Sequence, residues 1–399
     1  MPSALATLGI PANLEETIPT LDAALVPHDV RAQLLARSFE LRSGREKPGR
    51  FWKIDVDALD YSALSVPASA PVQLRAPQNS RAVVCDLATA LRTHGAIVER
   101  AAGSVVRPAS AKFAALATAM RNTGAFVYVP ADTAIDAEIE IAYDASAGAL
   151  FPYTLVVLER GAQCTIVERV TGGAGAFVCG ITEIVTAENA LVTYAVDQQL
   201  PPDGRAIFTR AAKPGKDGRV NWAAAELGAA LSVALVDVSI DNAGVQADIA
   251  GIFFPRDDQH VDLITNVDHN VGNSFSETLV KSAAIGRGQA RYVGNIRIVP
   301  QAQGTESSLR DDALLLSKKA HIDSVPALEI AANDVKAYHG ATVGAIDEEQ
   351  IFYMTSRGID RESAEKMIAL GFFEPAVARF PGEALRERLR AALESKVRS

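Results

Sequence analysis

Residues 158–166 read LERGAQCTI, in which a β-type run, a Gly-Ala corner and a second β-type run follow one another. Segments of the same shape recur as VTAENALVT at 185–193, AELGAALSV at 225–233 and SIDNAGVQA at 239–247. Glycine and asparagine tolerate the left-handed backbone that a sharp corner requires. We therefore expect short strands joined by tight corners that repeat along the chain.

The surrounding region, 125–346, has the same character throughout. Short β-type runs such as FVYV at 126–129, TLVVL at 154–158 and ITEIV at 181–185 are separated by small turn residues. Many short strands without long helices between them indicate an all-β unit, and either a sandwich or a β-helix fits this pattern. The quoted corners lack the Asn-Gly or Asp-Gly pair of a tight hairpin, so we favour a β-helix.

The sequence before this region predicts a mostly helical N-terminal part, 1–124, that includes a linker. Pro27 can open a helix to about Leu41, with Val30, Leu34 and Leu41 on one face. Residues 62–80 are rich in Ser, Ala and Pro, which indicates an extended connector. Residues 82–94 and 109–121 are expected to return to helix.

The sequence after it, 347–399, predicts a C-terminal helical region. Asp347 and Asp360 can each cap a helix, and Gly358 can end the first. In the second helix we expect one apolar face, made of Ala364, Met367, Ile368 and Phe372. The third helix carries the stripe Leu385, Leu389, Leu393 and Val397, which we expect to pack on its own domain, with a partner's groove as the alternative.

Composition restricts the classes of function. With 48% hydrophobic and 22% charged residues the chain is expected to fold, and its net charge of −9 argues against nucleic-acid binding. No apolar run approaches the roughly 18–20 residues of a membrane span, and no signal peptide is recognisable, so a cytoplasmic location is predicted. The three cysteines, Cys85, Cys164 and Cys179, suggest neither a disulfide framework nor a Cys-x-x-Cys metal site.

The most distinctive stretch is 313–372. It contains PALEI at 326–330, NDVK at 333–336, HGATVG at 339–344, QIFY at 350–353 and SRG at 356–358. Further pieces are QHVD at 259–262, DH at 268–269 and GNIRI at 294–298. Together they resemble the SufB/SufD family, SufD branch, and 51–53 (FWK) resembles an N-terminal feature of that family weakly.

The resemblance implies a right-handed parallel β-helix core between helical N- and C-terminal regions. It implies a non-catalytic scaffold subunit for iron–sulfur cluster assembly that pairs with a SufB-like subunit and binds a SufC-type ATPase through its C-terminal helices. The cluster is then transient and shared with the partner. A phosphate loop of its own is absent from the sequence, in agreement with this division of labour.

By the same resemblance, His339 is a candidate cluster ligand at the SufB interface; a lone histidine at a strand end is otherwise more often structural. Ala337 stands where many members of this branch have a cysteine. Asp311 and Asp312 could be weak oxygen ligands, but we expect exposed turn acids. His260 and His269 are expected to pack as polar corner residues.

Phe352, Tyr353, Arg357 and Phe372 are candidate partner-binding residues. For Arg357, a bond to the last carbonyls of its helix and a contact with the ATPase are equally open. We also expect that deleting the segment after Asp347 would abolish ATPase binding while sparing the β core.

Two other functions remain open. The first is a SufB-like scaffold that works as a homodimer, because the edges of a β-helix can pair with a second copy. The second, ranked far lower, is a carbohydrate-active β-helix enzyme, which would need clustered carboxylates or a calcium site.

Overall fold

The computed structural model describes residues 8–41, 54, 56–77 and 81–397. The 51–53 (FWK) element lies outside these ranges. None of the helices within them combines the length and the apolar character that a membrane crossing needs. The described chain is mainly β, with helices before and after the strands.

The α-helices are α1 (Ala12–Thr17), α2 (His28–Glu40), α3 (Leu87–Ala101), α4 (Lys112–Ala119), α5 (Glu348–Ser356), α6 (Arg361–Val377) and α7 (Glu383–Val397). The strands are β1 (Gln73–Arg75), β2 (Val83–Asp86), β3 (Thr123–Val129), β4 (Ile139–Asp144), β5 (Pro152–Leu158), β6 (Gln163–Thr171), β7 (Phe177–Thr186), β8 (Leu191–Gln198), β9 (Arg205–Lys213), β10 (Arg219–Glu226), β11 (Leu231–Ile240), β12 (Gln246–Phe253), β13 (His260–His269), β14 (Phe275–Ala284), β15 (Gln289–Ile298), β16 (Thr305–Leu315), β17 (His321–Ile330) and β18 (Val335–Ala345).

The strands form two nine-stranded sheets. Sheet A has the order β1-β4-β6-β8-β10-β12-β14-β16-β18, and sheet B has the order β17-β15-β13-β11-β9-β7-β5-β3-β2. Consecutive strands thus alternate between the sheets, and from β3 onward each pairs in parallel with the strand two positions along. This arrangement is a parallel β-helix, which confirms the predicted fold class over the sandwich. A right-handed path is the one that such parallel crossovers almost always take.

The tight corners of the repeating segments are confirmed in all four quoted cases. Gly161, Asn189, Ala229 and Gly244 each have a positive φ, of 66°, 56°, 74° and 74° respectively. Three of these are residues that tolerate the left-handed region, whereas Ala229 adopts it despite its β-carbon. Each corner turns the chain sharply from one strand into the next.

Alternate residues of each strand point into the lumen, the closed space between the two sheets. The inward positions form the largest apolar cluster of the protein, in which Tyr194 and Trp222 stack with ring centroids 5.1 Å apart. Outward residues of both sheets bury themselves under helices: those of sheet B under the N-terminal region and those of sheet A under α6 and α7.

The N-terminal region differs from the sequence prediction in two places. Residues 82–94 are not one helix: Val83–Asp86 is β2, which pairs antiparallel with β3, and α3 begins at Leu87. Pairing with β3 in sheet B stabilises residues 83–86 as a strand and overrides their local preference for helix. The side chain of Asp86 then caps α3 by accepting a hydrogen bond from the Thr89 backbone N–H at 2.9 Å.

The buried face of α2 was also mispredicted. Val30 is 37% exposed, whereas Arg31 and Leu35 are fully buried. The Arg31 guanidinium donates to the backbone carbonyls of Val26 and Ala119 at 2.8 and 2.7 Å. A charged residue can occupy this interior position because carbonyl groups from separate segments satisfy its donors.

One buried carboxylate links the loop after α3 to the β-helix by hydrogen bonds. Glu183 projects outward from β7, is fully buried and accepts hydrogen bonds from the backbone N–H groups of Gly103, Val105 and Val106, each at 2.8 Å. The Tyr153 hydroxyl donates a fourth, at 2.5 Å. Buried N–H groups are costly to leave unpaired, so this carboxylate fixes the path of the loop after α3.

The C-terminal helices pack on the outer face of sheet A. The stripe of α7 is buried on its own domain, as expected, with Leu385, Leu389 and Leu393 at most 1% exposed. The predicted face of α6 is correct only in part. Ala364 is buried, but Met367 is 55% exposed, and Phe373 rather than Phe372 stacks on Phe254, with ring centroids 5.8 Å apart. Deleting the segment after Asp347 would uncover this apolar face, so that truncation would not spare the β core.

Replacing Glu183 with alanine is expected to lower the free energy of unfolding by about 2–4 kcal/mol, because three N–H donors and the Tyr153 hydroxyl lose their buried acceptor. Denaturant unfolding followed by circular dichroism measures this change. Glu188→Ala, at an exposed corner of the same coil, is the matched control and should cost no more than about 0.5 kcal/mol. Equal effects of the two variants would contradict the fastening role.

Candidate functional site

The β-helix is open at its C-terminal end. β17 has β15 as its one sheet neighbour and β18 has β16, so each leaves a row of backbone donors and acceptors unpaired. Residues 338–345 are exposed, with Tyr338 at 68% and Val343 at 44%. β18 contains no proline, and its charged residues are limited to Lys336 and, when protonated, His339. In β17, by contrast, Pro326 lacks a backbone N–H and so interrupts the row of hydrogen-bond donors. β18 is thus a long strand edge ready to accept another strand.

His339 lies on this edge. It pairs in register with Leu309 of β16, which is 1% exposed in the lumen core. Residues paired across parallel strands face the same side of the sheet, so His339 belongs to the inward-facing set. Because no further coil follows β18, this inward position is exposed, and the imidazole lies at the mouth of the lumen. Within the described ranges no side chain or backbone group hydrogen bonds to it.

Asp311 lies beside this position and corrects the sequence prediction of an exposed turn acid. It is part of β16 and is fully buried. It shares the inward direction of Leu309, two residues earlier, and among the described residues none makes an ion pair with its carboxylate. Burial raises its pKa to about 7, although a hydrogen bond from the Ser324 hydroxyl lowers the pKa in part. The sequence does contain a signal for this burial: in a strand, Asp311 lies two residues after the apolar Leu309 and therefore faces the same side.

Asp312, the next residue, was also expected to be an exposed acid but is 5% exposed. It points to the outside of sheet A and binds Lys281 at 2.6 Å, Arg310 at 2.8 Å and the Thr342 hydroxyl at 2.7 Å. Burial alone would raise its pKa, yet the hydrogen bonds from Lys281 and Thr342 hold the pKa below its usual value. Two adjacent aspartates therefore have opposite environments.

The two other candidate histidines, His260 and His269, hydrogen bond to side chains of their own chain. His260 contacts Asp262 at 2.9 Å, and buried His269 contacts the hydroxyls of Ser274 and Ser276 at 2.8 and 3.0 Å. Burial lowers the pKa of His269 to about 4, which keeps it neutral. These contacts agree with the expected polar packing of both histidines.

The thiols do not form a ligand set either. Cys164 and Cys179 are buried and Cys85 is half-buried, and burial raises the pKa of all three. Ala337 lies on the inward side of β18 and packs partly against the lumen core. Among the described residues, no group of three or more His, Cys, Asp or Glu side chains could hold a metal ion.

The remaining candidates lie on the helices. Phe352 and Tyr353 of α5 are 74% and 60% exposed, and the Arg357 guanidinium lies 5.2 Å from the Tyr353 ring centroid. Asp347 caps α5 as expected, and Gly358 follows its end with φ 87°. Phe372 differs, because it is half-buried on α6 with Lys281 4.5 Å from its ring centroid. The structure therefore presents two separate features, the lumen mouth and the aromatic face of α5.

Comparison with known proteins gives a consistent result. The family model described as SUF system FeS cluster assembly, SufBD core domain, matches residues 141–372, more than half of the chain. The iron-sulfur cluster assembly protein SufD of Bacillus subtilis is 28% identical over 356 residues, which cover 86% of this chain and 81% of that protein. An iron-sulfur cluster assembly SufBD family protein of Staphylococcus epidermidis is 28% identical over 303 residues. That match covers 75% of this chain and 65%, just under two thirds, of the staphylococcal protein.

The two aspartates predict opposite effects of pH on stability. Because the pKa of Asp311 is raised from 3.8 to about 7, its contribution is lost as pH rises through this range, by roughly 4 kcal/mol at most. Asp311→Asn should therefore stabilise the chain at pH 8 relative to pH 5. Asp312 has a lowered pKa, so its contribution is present at pH 8, and Asp312→Asn should destabilise the chain there. Thermal unfolding of both variants at the two pH values measures the difference; changes of the same sign would refute the assigned environments.

Proposed function

This chain belongs to the SufB/SufD family of iron–sulfur cluster assembly proteins, as a SufD-type member, and from that membership we propose that it is a non-catalytic scaffold subunit. In this proposal it pairs with a SufB-type subunit and binds a SufC-type ATPase in the cytoplasm. The iron–sulfur cluster is the cargo of the assembly and is shared transiently with the partner.

The observation that carries the proposal is the exposure of His339 at the mouth of the lumen, on a strand edge without a partner. Neutral imidazole is a ligand for iron in proteins, where it stands beside thiolates in some clusters. A ligand on an open edge suits a site completed by a second subunit.

The pairing itself is supported by the geometry of the open end. β18 offers an 11-residue edge whose free N–H and C=O groups can hydrogen bond to a strand of a second β-helix. A SufB-type partner with a like edge would extend sheet A across the interface and bring its own ligands over His339. The same edge could pair with a second copy of this chain, so a homodimer is the expected alternative when the partner is absent.

The aromatic face of α5 supports a separate contact with the ATPase. Phe352 and Tyr353 project from a short helix without covering any core, and exposed aromatic side chains are enriched at the centres of interfaces. Arg357, next to Tyr353, adds a cation of the type that is common in such contacts. Phe372 belongs to this surface only at its margin, because it is half-buried.

Replacing His339 with alanine should leave the fold and the complex with the SufB-type and SufC-type subunits intact, because the side chain is exposed. The amount of cluster formed in the reconstituted complex should fall by about tenfold or more. Absorption spectroscopy of the complex under anaerobic conditions measures the cluster. His94→Ala, in the N-terminal helix α3, is the control and should not change it. A chain that recovers neither partner from its native cytosol would refute the proposed function.

The double variant Phe352→Ser/Tyr353→Ser is expected to weaken SufC-type ATPase binding by about tenfold or more, with no loss of thermal stability. Titration calorimetry of the purified chain with the ATPase measures the affinity. Met367→Ser removes an exposed apolar side chain from the neighbouring helix α6 and is the matched control. Unchanged binding in the double variant would place the ATPase contact elsewhere.

A further inference from the structure

A lysine of the last helix is buried without a carboxylate partner. Lys396 belongs to α7 and is 9% exposed. Its Nζ donates a hydrogen bond to Oε1 of Gln259 at 3.0 Å, and within the described ranges no aspartate or glutamate makes an ion pair with it. Lysine is almost never buried unless it is paired, and burial without a counter-charge favours the neutral amine over the ammonium.

Two charged side chains at the corner between β12 and β13 act on this amine. The pKa of Lys396 is lowered to about 7, first by burial and then by the positive charge of Arg256, while Asp257 acts in the opposite direction. At pH 7 about half of the amine is then neutral, against about one in 3,000 for an ordinary lysine. Desolvation and a neighbouring cation are the two features that activate lysines as nucleophiles.

Gln259 holds the amine in position. Its Nε2 donates to the Ala229 carbonyl at 2.8 Å, which fixes the side-chain amide so that Oε1 faces Lys396. Oε1 also accepts a hydrogen bond from the backbone N–H of Arg256 at 3.1 Å. Gln259 opens the motif piece at 259–262, which has no part in the proposed cluster site. The contact therefore gives this piece a role at the other end of the chain.

Lys396 and Gln259 both line a cavity of about 560 Å³ at the corners of three successive coils. A volume of this size is within the range of small-molecule sites. The uncharged part of the wall is formed by Leu200, Pro202, Leu227, Gly228 and Ala230.

The other charged side chains of the cavity are paired. Arg256 binds Asp257 at 3.1 Å, and Asp258 binds Arg287 at 2.7 Å. The cavity therefore has no unbalanced positive charge to attract an anion, and its apolar wall favours an uncharged ligand.

We propose that the Lys396 amine forms an imine with an uncharged aldehyde or ketone that enters this cavity. The nitrogen lone pair attacks the carbonyl carbon, and the carbonyl oxygen leaves as water with the two protons of the amine. A C=N bond replaces the C=O bond, so the step needs no oxidant or reductant. The site is separate from His339 and from the contacts proposed for other subunits.

The test measures covalent labelling of the full-length chain. Butanal is added with sodium cyanoborohydride, which reduces the imine to a stable alkylamine, and peptide mass spectrometry identifies the labelled lysines. At pH 7, Lys396 should react at least about tenfold faster than Lys281 and Lys216. Lys281 is equally buried, at 8% exposed, but binds Asp312 at 2.6 Å, and Lys216 is exposed with its pKa raised by Asp217. These internal controls separate activation from burial and from exposure.

The pH profile and a charged probe supply two further readouts. Labelling of Lys396 should level off above about pH 8, whereas labelling of Lys216 keeps rising with pH. Succinic semialdehyde has the chain length of butanal and adds a carboxylate. Measured relative to Lys216, it should label Lys396 at least about threefold less than butanal does.

Gln259→Glu tests the position of the amine without removing it. A carboxylate beside Nζ raises the pKa of Lys396, so labelling at pH 7 should slow by about tenfold or more. Gln289→Glu, at the exposed start of β15, is the matched control and should label as the unchanged chain does. Thermal unfolding of both variants checks that the fold is kept.

Other results would overturn the assignment. If Lys396 stays unlabelled while Lys216 reacts, or if the two pH profiles run parallel, the amine serves only to hold α7 in place. Labelling that Gln259→Glu leaves unchanged would contradict the position of the amine, and preferential labelling by succinic semialdehyde would exclude an uncharged ligand. None of these measurements involves another subunit, so they stand apart from any failure of the proposed function.

Discussion

The structure depends on the parallel backbone ladder that binds each coil to the coil before it. Every strand from β3 to β16 satisfies its backbone groups on both sides, so the lumen can be sealed and filled with apolar side chains. Such a ladder has to stop at both ends. The length and exposure of the last strand at each end determine where another chain can add a strand.

The two ends are finished differently. At the N-terminal end the sheets terminate in β1 and β2, which are 3 and 4 residues long and run antiparallel to their neighbours. Very short edge strands offer little for another chain to pair with. At the C-terminal end the edges are 10 and 11 residues long, and the 11-residue edge β18 is mostly exposed. The C-terminal end therefore offers the longer strand edges for pairing with another chain.

The alternation of inward and outward side chains has a second consequence at that end. Inward positions are core positions in every complete coil, but in the last coil they become accessible from the mouth of the lumen. His339 and Asp311 both occupy inward positions, one on the last strand and one on the strand before it. The two helical regions do not interfere, because they pack on the outer faces of the sheets.

Much of this could be predicted from the sequence, because it depends on local chemistry. The corner residues at 161, 189 and 244 require a left-handed backbone, Asp347 and Asp360 place helix caps, and the leucine stripe of α7 has helical periodicity. The motif pieces around His339 indicated the family and the candidate ligand. None of these features needs knowledge of which distant segments meet.

The sequence could not determine the features that depend on contacts between distant segments. Arg31 is buried because carbonyls from two other segments surround it, and Val83–Asp86 is a strand because β3 has a free edge beside it. Asp311 and Asp312 are identical neighbours in the sequence. Only the strand register determines that Asp311 points into the lumen and that Asp312 points outward to Lys281. The physical reason is that burial and pairing are properties of the assembled coils, whereas sequence patterns report the preferences of neighbouring residues alone.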